Sequence, residues 1–225
     1  MFSICISYVG GPDYLRRAVD SLGDYKDRVW VADSSESNPP LNPLDFGLGL
    51  DQIVQPIIPQ SHTQSHNWFR ARAIMAGKPF YMVMHNDAEA SEDIIEQLTD
   101  IAAAKAGDKW GVLFTNYDSL AVYNTRAAAE VGPWDWKLFP SYYSDNDYYR
   151  RLKLAGWNLV DTCLPVKHEG SHVINKIDKQ AKYLNHMLLS NFAREAYIRK
   201  WGGPPESETY LKPFNGELEN PYPDE

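Results

Sequence analysis

The stretch Tyr81-Met82-Val83-Met84-His85-Asn86-Asp87 decides the fold: an apolar run that stops abruptly on a polar cluster closed by a carboxylate. Strands buried on both faces of a parallel sheet read as short continuous apolar runs of this kind. Ligands of open α/β sheets sit just beyond the carboxyl ends of such strands. Asp87 is therefore placed to hold a divalent cation, and a cation there can hold a diphosphate. His85, two residues earlier, projects to the same side of the strand. The competing reading is an Asx-turn over Asn86 and Asp87, with Ser91 capping the helix that follows.

The flanking sequence repeats the pattern. Phe2 to Tyr8 reads as a first strand, and Gly10-Gly11-Pro12-Asp13 as a turn into a helix with Pro near its first position. Leu15, Ala18, Val19 and Leu22 fall at i, i+3, i+4 and i+7, an amphipathic face. Val29-Trp30-Val31-Ala32-Asp33 is a second strand ending on a carboxylate, which can accept from a ribose or a base N–H. A structural turn at Asp33-Ser34-Ser35 competes with that role. Ser34 to Pro43 is loop, Ile53 to Ile58 a short third strand despite Pro56, and Asn67 to Ala76 a helix. Ser91 caps a further helix, with Glu92 and Asp93 in its first turn and Ile94, Ile95, Leu98 and Ile101 as its buried stripe. Strands alternating with helices of this length predict an α/β/α sandwich on a mixed, mostly parallel sheet.

The second half has another texture. Trp110 to Thr115 and Ser119 to Tyr123 read as strands around a turn, followed by the aromatic loop Gly132-Pro133-Trp134-Asp135-Trp136. Tyr142-Tyr143-Ser144-Asp145-Asn146-Asp147 leads into a helix with Tyr148, Leu152 and Ala155 on one face, ended by Gly156. Leu159 to Val166 reads as a strand leading to Lys167-His168-Glu169-Gly170-Ser171-His172, and a long helix from Asp178 to Lys200 stops at Trp201-Gly202-Gly203. Residues 1–203 form one domain on this reading, and 204–225 an irregular Pro- and acid-rich tail on the surface.

Two of these segments carry chemistry of their own. Asp145 and Asp147 lie in a first helical turn, where acids are favoured by the dipole alone. Asp145, on the loop side, is the better placed to reach a proton as a general base. Gly170 makes a helical His168/His172 pair unfavourable, so His168 is proposed as a single ligand.

Composition narrows the class. At 225 residues, with 44% hydrophobic and 23% charged side chains, the chain suits one globular domain. A net charge of −8 and a pI near 5.2 argue against general nucleic-acid or anionic-membrane binding. Seven Trp and 14 Tyr suit stacking on sugars or bases as well as core filling. Cys5 and Cys163 read as buried free thiols in a reducing cytosol. No signal peptide is recognisable at the N-terminus, and no apolar stretch approaches the roughly 20 residues that span a bilayer. A cytoplasmic protein is expected.

Read in order, these pieces resemble the GT-A glycosyltransferases of the family 2 type, from Phe2 to about His172. Tyr14-Leu15-Arg16-Arg17-Ala18-Val19-Asp20-Ser21-Leu22 is similar to that group's opening helix, and Val31-Ala32-Asp33-Ser34-Ser35 to its nucleotide-binding segment. Met84-His85-Asn86-Asp87-Ala88-Glu89 resembles its DXD motif. The most specific likeness runs from Tyr123-Asn124-Thr125-Arg126 through Glu130-Val131-Gly132-Pro133-Trp134-Asp135 to Ser144-Asp145-Asn146-Asp147 and Arg151-Leu152-Lys153-Leu154-Ala155-Gly156-Trp157. Val166-Lys167-His168-Glu169-Gly170-Ser171 resembles the segment that carries the metal histidine, and the C-terminal run through Trp201 a tail seen in small, phage-type members.

The resemblance implies transfer of a sugar from a nucleotide-diphosphate donor (a UDP- or GDP-sugar) to an acceptor hydroxyl. It assigns the catalytic base of an inverting reaction to Asp145. Mn2+ or Mg2+ would be held by Asp87, His168 and His85, and the donor by Asp33, Tyr8 (stacking), Asn67 and Asn86. Trp134 and Trp136 would wall the sugar or acceptor. Three departures stand out. His85 replaces the first acid of the DXD motif, Ser144 replaces the acid before Asp145, and His66-Asn67 matches the family's "aRN" only roughly.

Other functions are compatible with parts of the pattern. A non-catalytic nucleotide-sugar or carbohydrate-binding protein would tolerate His85 and Ser144. A sugar nucleotidyltransferase needs a basic residue in the loop after the first strand, which Val9-Gly10-Gly11-Pro12-Asp13 lacks. The acceptor is open: a polysaccharide, glycolipid, protein or hydroxylated DNA base. Lys176, Lys179, Lys182, Arg194, Arg199 and Lys200 would give an anionic acceptor a local basic face, against the alternative of ordinary solvated helix charge.

Overall fold

The computed structural model describes residues 2–35, 40–168 and 186–217. Four parallel strands form one half of the central sheet: β1 (Ile4–Tyr8), β2 (Val29–Asp33), β3 (Ile53–Val54) and β4 (Phe80–His85). The other half comprises β6 (Trp110–Phe114), β7 (Leu120–Asn124) and β8 (Asn158–Asp161), in the overall order β3-β2-β1-β4-β7-β6-β8. Only β7 runs against its neighbours, so the seven-stranded sheet is mixed and mostly parallel, as expected. The expected third strand is cut to two residues, and the expected 159–166 strand to its first part, since Pro56 and Pro165 lie in the segments that leave the sheet.

The pleat sorts side chains between two cores. Ile4, Ile6, Tyr8, Met82 and Met84 face α1 (Pro12–Asp20) and α3 (Glu92–Ala104), which contribute Leu15, Val19, Ile95 and Leu98. Cys5, Tyr81, Val83, Val112 and Tyr123 face α2 (His62–Met75), α4 (Thr125–Val131) and α5 (Ser144–Leu154), where they meet Phe69, Ala127, Tyr148 and Leu152. The result is an α/β/α sandwich. A third core joins Phe139 to Ala193, Tyr197 and Trp201 of the C-terminal helix α6 (Phe192–Trp201), which follows a π-helical stretch over residues 186–191.

Other local expectations were revised. Helix α2 begins five residues earlier than its apolar pattern suggested, because Ser61 and Gln64 close a capping box. Cys5 is buried, but Cys163 is exposed, on a bend with φ 56°, rather than in a strand. The irregular segment after residue 203 is tied down over its first part. Thr209 and Tyr210 donate to the Trp201 carbonyl, and Arg150 to that of Tyr210. Lys200, expected on a solvated basic face, is buried. The expected helix before residue 186, with Lys176, Lys179 and Lys182, and His172 lie outside the described residues. Among the described residues no helix is long and apolar enough to cross a membrane.

Candidate active site

A cleft of about 930 Å³ opens beyond the carboxyl ends of β1 and β4. Ser7 and His85, partners in the β1–β4 register, line it together with Asn86 and Asp87. The last of these residues is joined to a short second ribbon. Strand β5 (Ala88–Glu89) pairs antiparallel with β9 (Lys167–His168), setting Ala88 opposite His168. That pairing brings His168, 81 residues away in sequence, to Asp87: its Nε2 lies 3.1 Å from Asp87 Oδ1 and 3.3 Å from His85 Nδ1. Ligand atoms of His85, Asp87 and His168 all lie within 4.8 Å of one another, which fits a single metal ion bound by two imidazoles and one carboxylate.

The electrostatics of the trio follow from its contacts. Burial raises the Asp87 carboxyl, but the hydrogen bond and charge of His168, with His85, outweigh it and hold the group below its ordinary value. The hydrogen bond to Asp87 raises His168 in turn. Burial lowers His85, which keeps its ring neutral and able to act as a ligand.

Asp145 lines the same cleft from the first turn of α5. Tyr143, the residue before that helix, is held at φ 64°, a conformation costly for a non-glycine side chain. Ser144, buried where an acid was expected, donates through Oγ to the Ser141 carbonyl at 2.5 Å and fixes the turn. Burial and then the charge of Asp118 raise the Asp145 carboxyl to about 6, against the backbone N–H groups of its own turn.

Behind this turn lies an ion cluster. Lys200 bridges Asp147 Oδ1 (2.7 Å) and Asp135 Oδ2 (2.8 Å), Arg151 pairs with Asp147 at 3.0 Å, and the Trp201 indole donates to Asp147 at 2.9 Å. Asp147 thus anchors the C-terminal helix to α5.

Several candidate residues fall elsewhere. Asp33 is wholly buried at the end of β2: its Oδ1 accepts from Ser35 N (3.0 Å) and Oγ (2.5 Å), while Oδ2 has no partner among the described residues. It does not line the cleft, whereas Asp87 and Asp145 do. Tyr8 shares the strand face of Ile4 and Ile6, so its ring is in the core and offers no stacking surface. Asn67 spends its amide on the backbone of Trp134, accepting from N at 2.7 Å and donating to O at 3.0 Å, and is a brace rather than a donor contact. Asn86 borders the cleft and donates to Gly10 O at 3.1 Å.

Trp134 is a cleft wall, but buried: its ring stacks on Tyr148 at 4.3 Å and 7° and contacts His66 at 4.3 Å. Gly132, at φ 87°, ends α4 and turns the chain toward it, a conformation few other residues adopt. Trp136 is exposed and lies in a separate pocket of about 320 Å³ with Lys137, Arg151 and Lys200, not in the cleft.

The cleft also holds residues that were not among the sequence candidates for the site, His62, His66 and Asp118 among them. His62 and His66 sit one turn apart on α2 with Nε2 atoms 3.1 Å apart; burial first, and His85 second, lowers His62 to about 4. The Ser61–Gln64 capping box was the signal that could have placed them on a helix. Asp118, in the 3-10 turn between β6 and β7, carried no signal beyond being polar.

No family profile matches the chain, and no curated protein matches it. Many solved structures do. The chain aligns with S. aureus TarS residues 1–349 at 13% identity and a TM-score of 0.57, covering 87% of this chain and 71% of that one; TarS has also been solved with UDP. It aligns with GalNAc-T7, solved with UDP, GalNAc and Mn2+, at 13% identity and a TM-score of 0.56, over 75% of this chain and 43% of that one. A Leptospira borgpetersenii cytidylyltransferase aligns at 10% identity and a TM-score of 0.50, over 76% and 78%. TarS and GalNAc-T7 are GT-A glycosyltransferases, and the chain has the GT-A fold.

Proposed function

We propose that this protein is a metal-dependent glycosyltransferase acting on a nucleotide-diphosphate sugar, with inversion at the transferred carbon. The observation that carries the reading is the meeting of the His85–Asp87–His168 trio with Asp145 in one cleft beyond the strand ends. UDP in the TarS and GalNAc-T7 structures favours a UDP-sugar, with a GDP-sugar as the other option. Two imidazole nitrogens favour Mn2+ over Mg2+, which prefers an all-oxygen shell. Bound to this trio, the cation would neutralise charge on the departing diphosphate.

The chain's own groups do the rest. Asp145 takes the proton of the acceptor hydroxyl as its oxygen bonds to the anomeric carbon; the bond from that carbon to the diphosphate oxygen breaks, and the nucleoside diphosphate leaves. Trp134, braced by Asn67, forms the floor for the sugar. The loop after β1 carries no basic residue, which favours sugar transfer over nucleotidyl transfer. The acceptor is a hydroxyl-bearing saccharide, lipid, protein or modified nucleic acid.

Incubation with UDP- and GDP-sugars and Mn2+, without acceptor, tests the proposal. Metal-dependent release of nucleoside diphosphate and free sugar supports it. Donor binding without turnover at any pH would leave a carbohydrate-binding protein. Formation of nucleotide sugar from nucleoside triphosphate and sugar 1-phosphate would make it a nucleotidyltransferase.

A further inference from the structure

The two histidines of α2 have no task in the scheme above. His62 and His66, four residues apart after the Ser61 cap, stand on one face of that helix and line the cleft. Their Nε2 atoms are 3.1 Å apart and their ring centres 4.5 Å. His66 is buried against the Trp134 ring at 4.3 Å, and its Nδ1 has no partner among the described residues. His62 is half-buried, and its ring meets that of His85 edge-on at 6.1 Å. The pair thus sits between the proposed sugar floor and the proposed metal trio.

We propose that His62 is a specificity-determining contact, donating a hydrogen bond from Nδ1 to a hydroxyl of the transferred sugar, and that His66 is the positioning residue that fixes this donor. The proposal rests on the glycosyltransferase reading and deepens it by naming a group that holds the sugar. Counting protons fixes the pair. Burial first, and neighbouring histidines second, disfavour the charged form of both rings, so each is neutral and carries one N–H. Two nitrogens facing each other at 3.1 Å need one donor and one acceptor. A buried N–H left without a partner is rarer than an under-used acceptor. His66 therefore leaves Nδ1 bare and donates from Nε2. His62 accepts at Nε2, and its single proton falls on Nδ1. The His62 side chain makes no other hydrogen bond among the described residues, so that N–H is available to the cleft.

A cation on the trio strengthens this arrangement. Positive charge beside His85 opposes an imidazolium at either His62 or His66, so both rings stay neutral with the metal bound. With the diphosphate on the cation, the sugar joined to it lies toward Trp134, where His66 touches the floor. The described lining of the cleft carries three aspartates, Asp87, Asp118 and Asp145, and no Lys or Arg. Asn86 and Ser144 donate to the Gly10 and Ser141 carbonyls. Sugar hydroxyls entering such a cleft find acceptors readily, and a fixed N–H donor is the scarcer group. A sugar lacking the matching hydroxyl would leave the His62 N–H unpaired, which is how a contact of this kind discriminates between substrates.

Nitrogen-15 NMR of the imidazoles at neutral pH, on metal-free and Mg2+-loaded protein, tests the proton placement without any donor. His62 should carry its proton on Nδ1 and His66 on Nε2; the reverse pair, or a doubly protonated His62, overturns the proposal. Calorimetry with Mn2+ and UDP-glucose, UDP-N-acetylgalactosamine or GDP-mannose, each compared with its bare nucleoside diphosphate, tests the contact. For the nucleotide sugar that wild type binds, His62→Phe should weaken binding about tenfold and leave the bare diphosphate within about twofold. His62→Asn, whose amide nitrogen can take the place of Nδ1, should recover most of that loss. His66→Leu should weaken sugar binding several-fold, whereas His66→Gln, which keeps a donor toward His62, should not. An equal loss for nucleotide sugar and diphosphate, or no loss in folded His62→Phe, overturns the proposal. Should His62→Phe fail to fold by thermal melting, His62→Ala is held to the same two criteria. Wild-type protein that binds none of these nucleotides with metal would instead defeat the underlying glycosyltransferase reading, whichever tautomers the NMR finds.

Discussion

Replacing Lys200 by Met tests whether the ion cluster behind α5 holds the candidate site together. The Lys200 side chain is 6% exposed, and its Nζ lies 2.7 Å from Asp147 Oδ1 and 2.8 Å from Asp135 Oδ2. Removing one partner of a buried pair typically costs about 3–5 kcal/mol, because the remaining charge is left without compensation. Here the lower end applies. Asp147 keeps Arg151 at 3.0 Å and the Trp201 indole at 2.9 Å, and Asp135 is 26% exposed and can be hydrated. About 3 kcal/mol in a chain of this length corresponds to a fall in Tm of about 6–12 °C. Thermal melts at neutral pH measure it directly. Burial raises the Asp135 carboxyl, but the Lys200 hydrogen bond and charge outweigh that and hold it below its ordinary value. The stabilisation linked to Asp135 is therefore complete above the unfolded carboxylate value of about 3.9 and is lost as pH falls through the depressed folded value. The gap between variant and wild type should narrow in acid. A Tm within about 2 °C of wild type at neutral pH would refute the reasoning, since so small a loss is what a solvent-exposed pair costs and not a buried one.

Three further outcomes follow from the site. Turnover should rise as pH passes through about 6 and level off above it, because Asp145 must lose its proton to act as a base; a rate that falls over that range would remove Asp145 from the role. His168→Ala should weaken Mn2+ binding at least about tenfold, by calorimetry with the metal alone, since it deletes one of three ligands; unchanged affinity would place the cation elsewhere. Trp134→Ala should cost about 3–5 kcal/mol in chemical denaturation, as expected for a buried indole stacked on Tyr148, and a loss below about 1 kcal/mol would show that the wall repacks.

The parts of the fold legible in the sequence were those carried by local periodicity. The run 81–87 reads as a buried strand because both of its faces are covered, by α1 and α3 on one side and α2 on the other. Its end marks the cleft because the chain must leave the sheet there. What stayed hidden depends on contacts between distant segments. A two-residue ribbon, β5 with β9, has no periodicity to detect; the meeting of His168 with Asp87 that it brings about was expected only through the family resemblance. Lys200 looks like a solvated helix charge until Asp135 and Asp147 arrive from other elements to neutralise it. Tyr8 could have been placed correctly, because it shares the parity of Ile4 and Ile6 and so had to point away from the face that carries Ser7.

A histidine at position 85, where the motif that the segment resembles carries an acid, makes physical sense in a cleft already rich in carboxylates. The cleft already holds Asp87, Asp118 and Asp145, and a further carboxylate at the end of β4 would add a fourth negative charge. The alternation of β4 sends residue 85 to the same side as Val83, toward α2, where His62 and His66 are also kept neutral by burial. An imidazole there lies 3.3 Å from His168, retains the capacity to ligate a metal and adds no charge to the pocket around Asp145. A donor set of two imidazoles and one carboxylate would suit Mn2+ better than Mg2+, so the same residue that weakens the likeness to a DXD motif fits the proposed choice of cation.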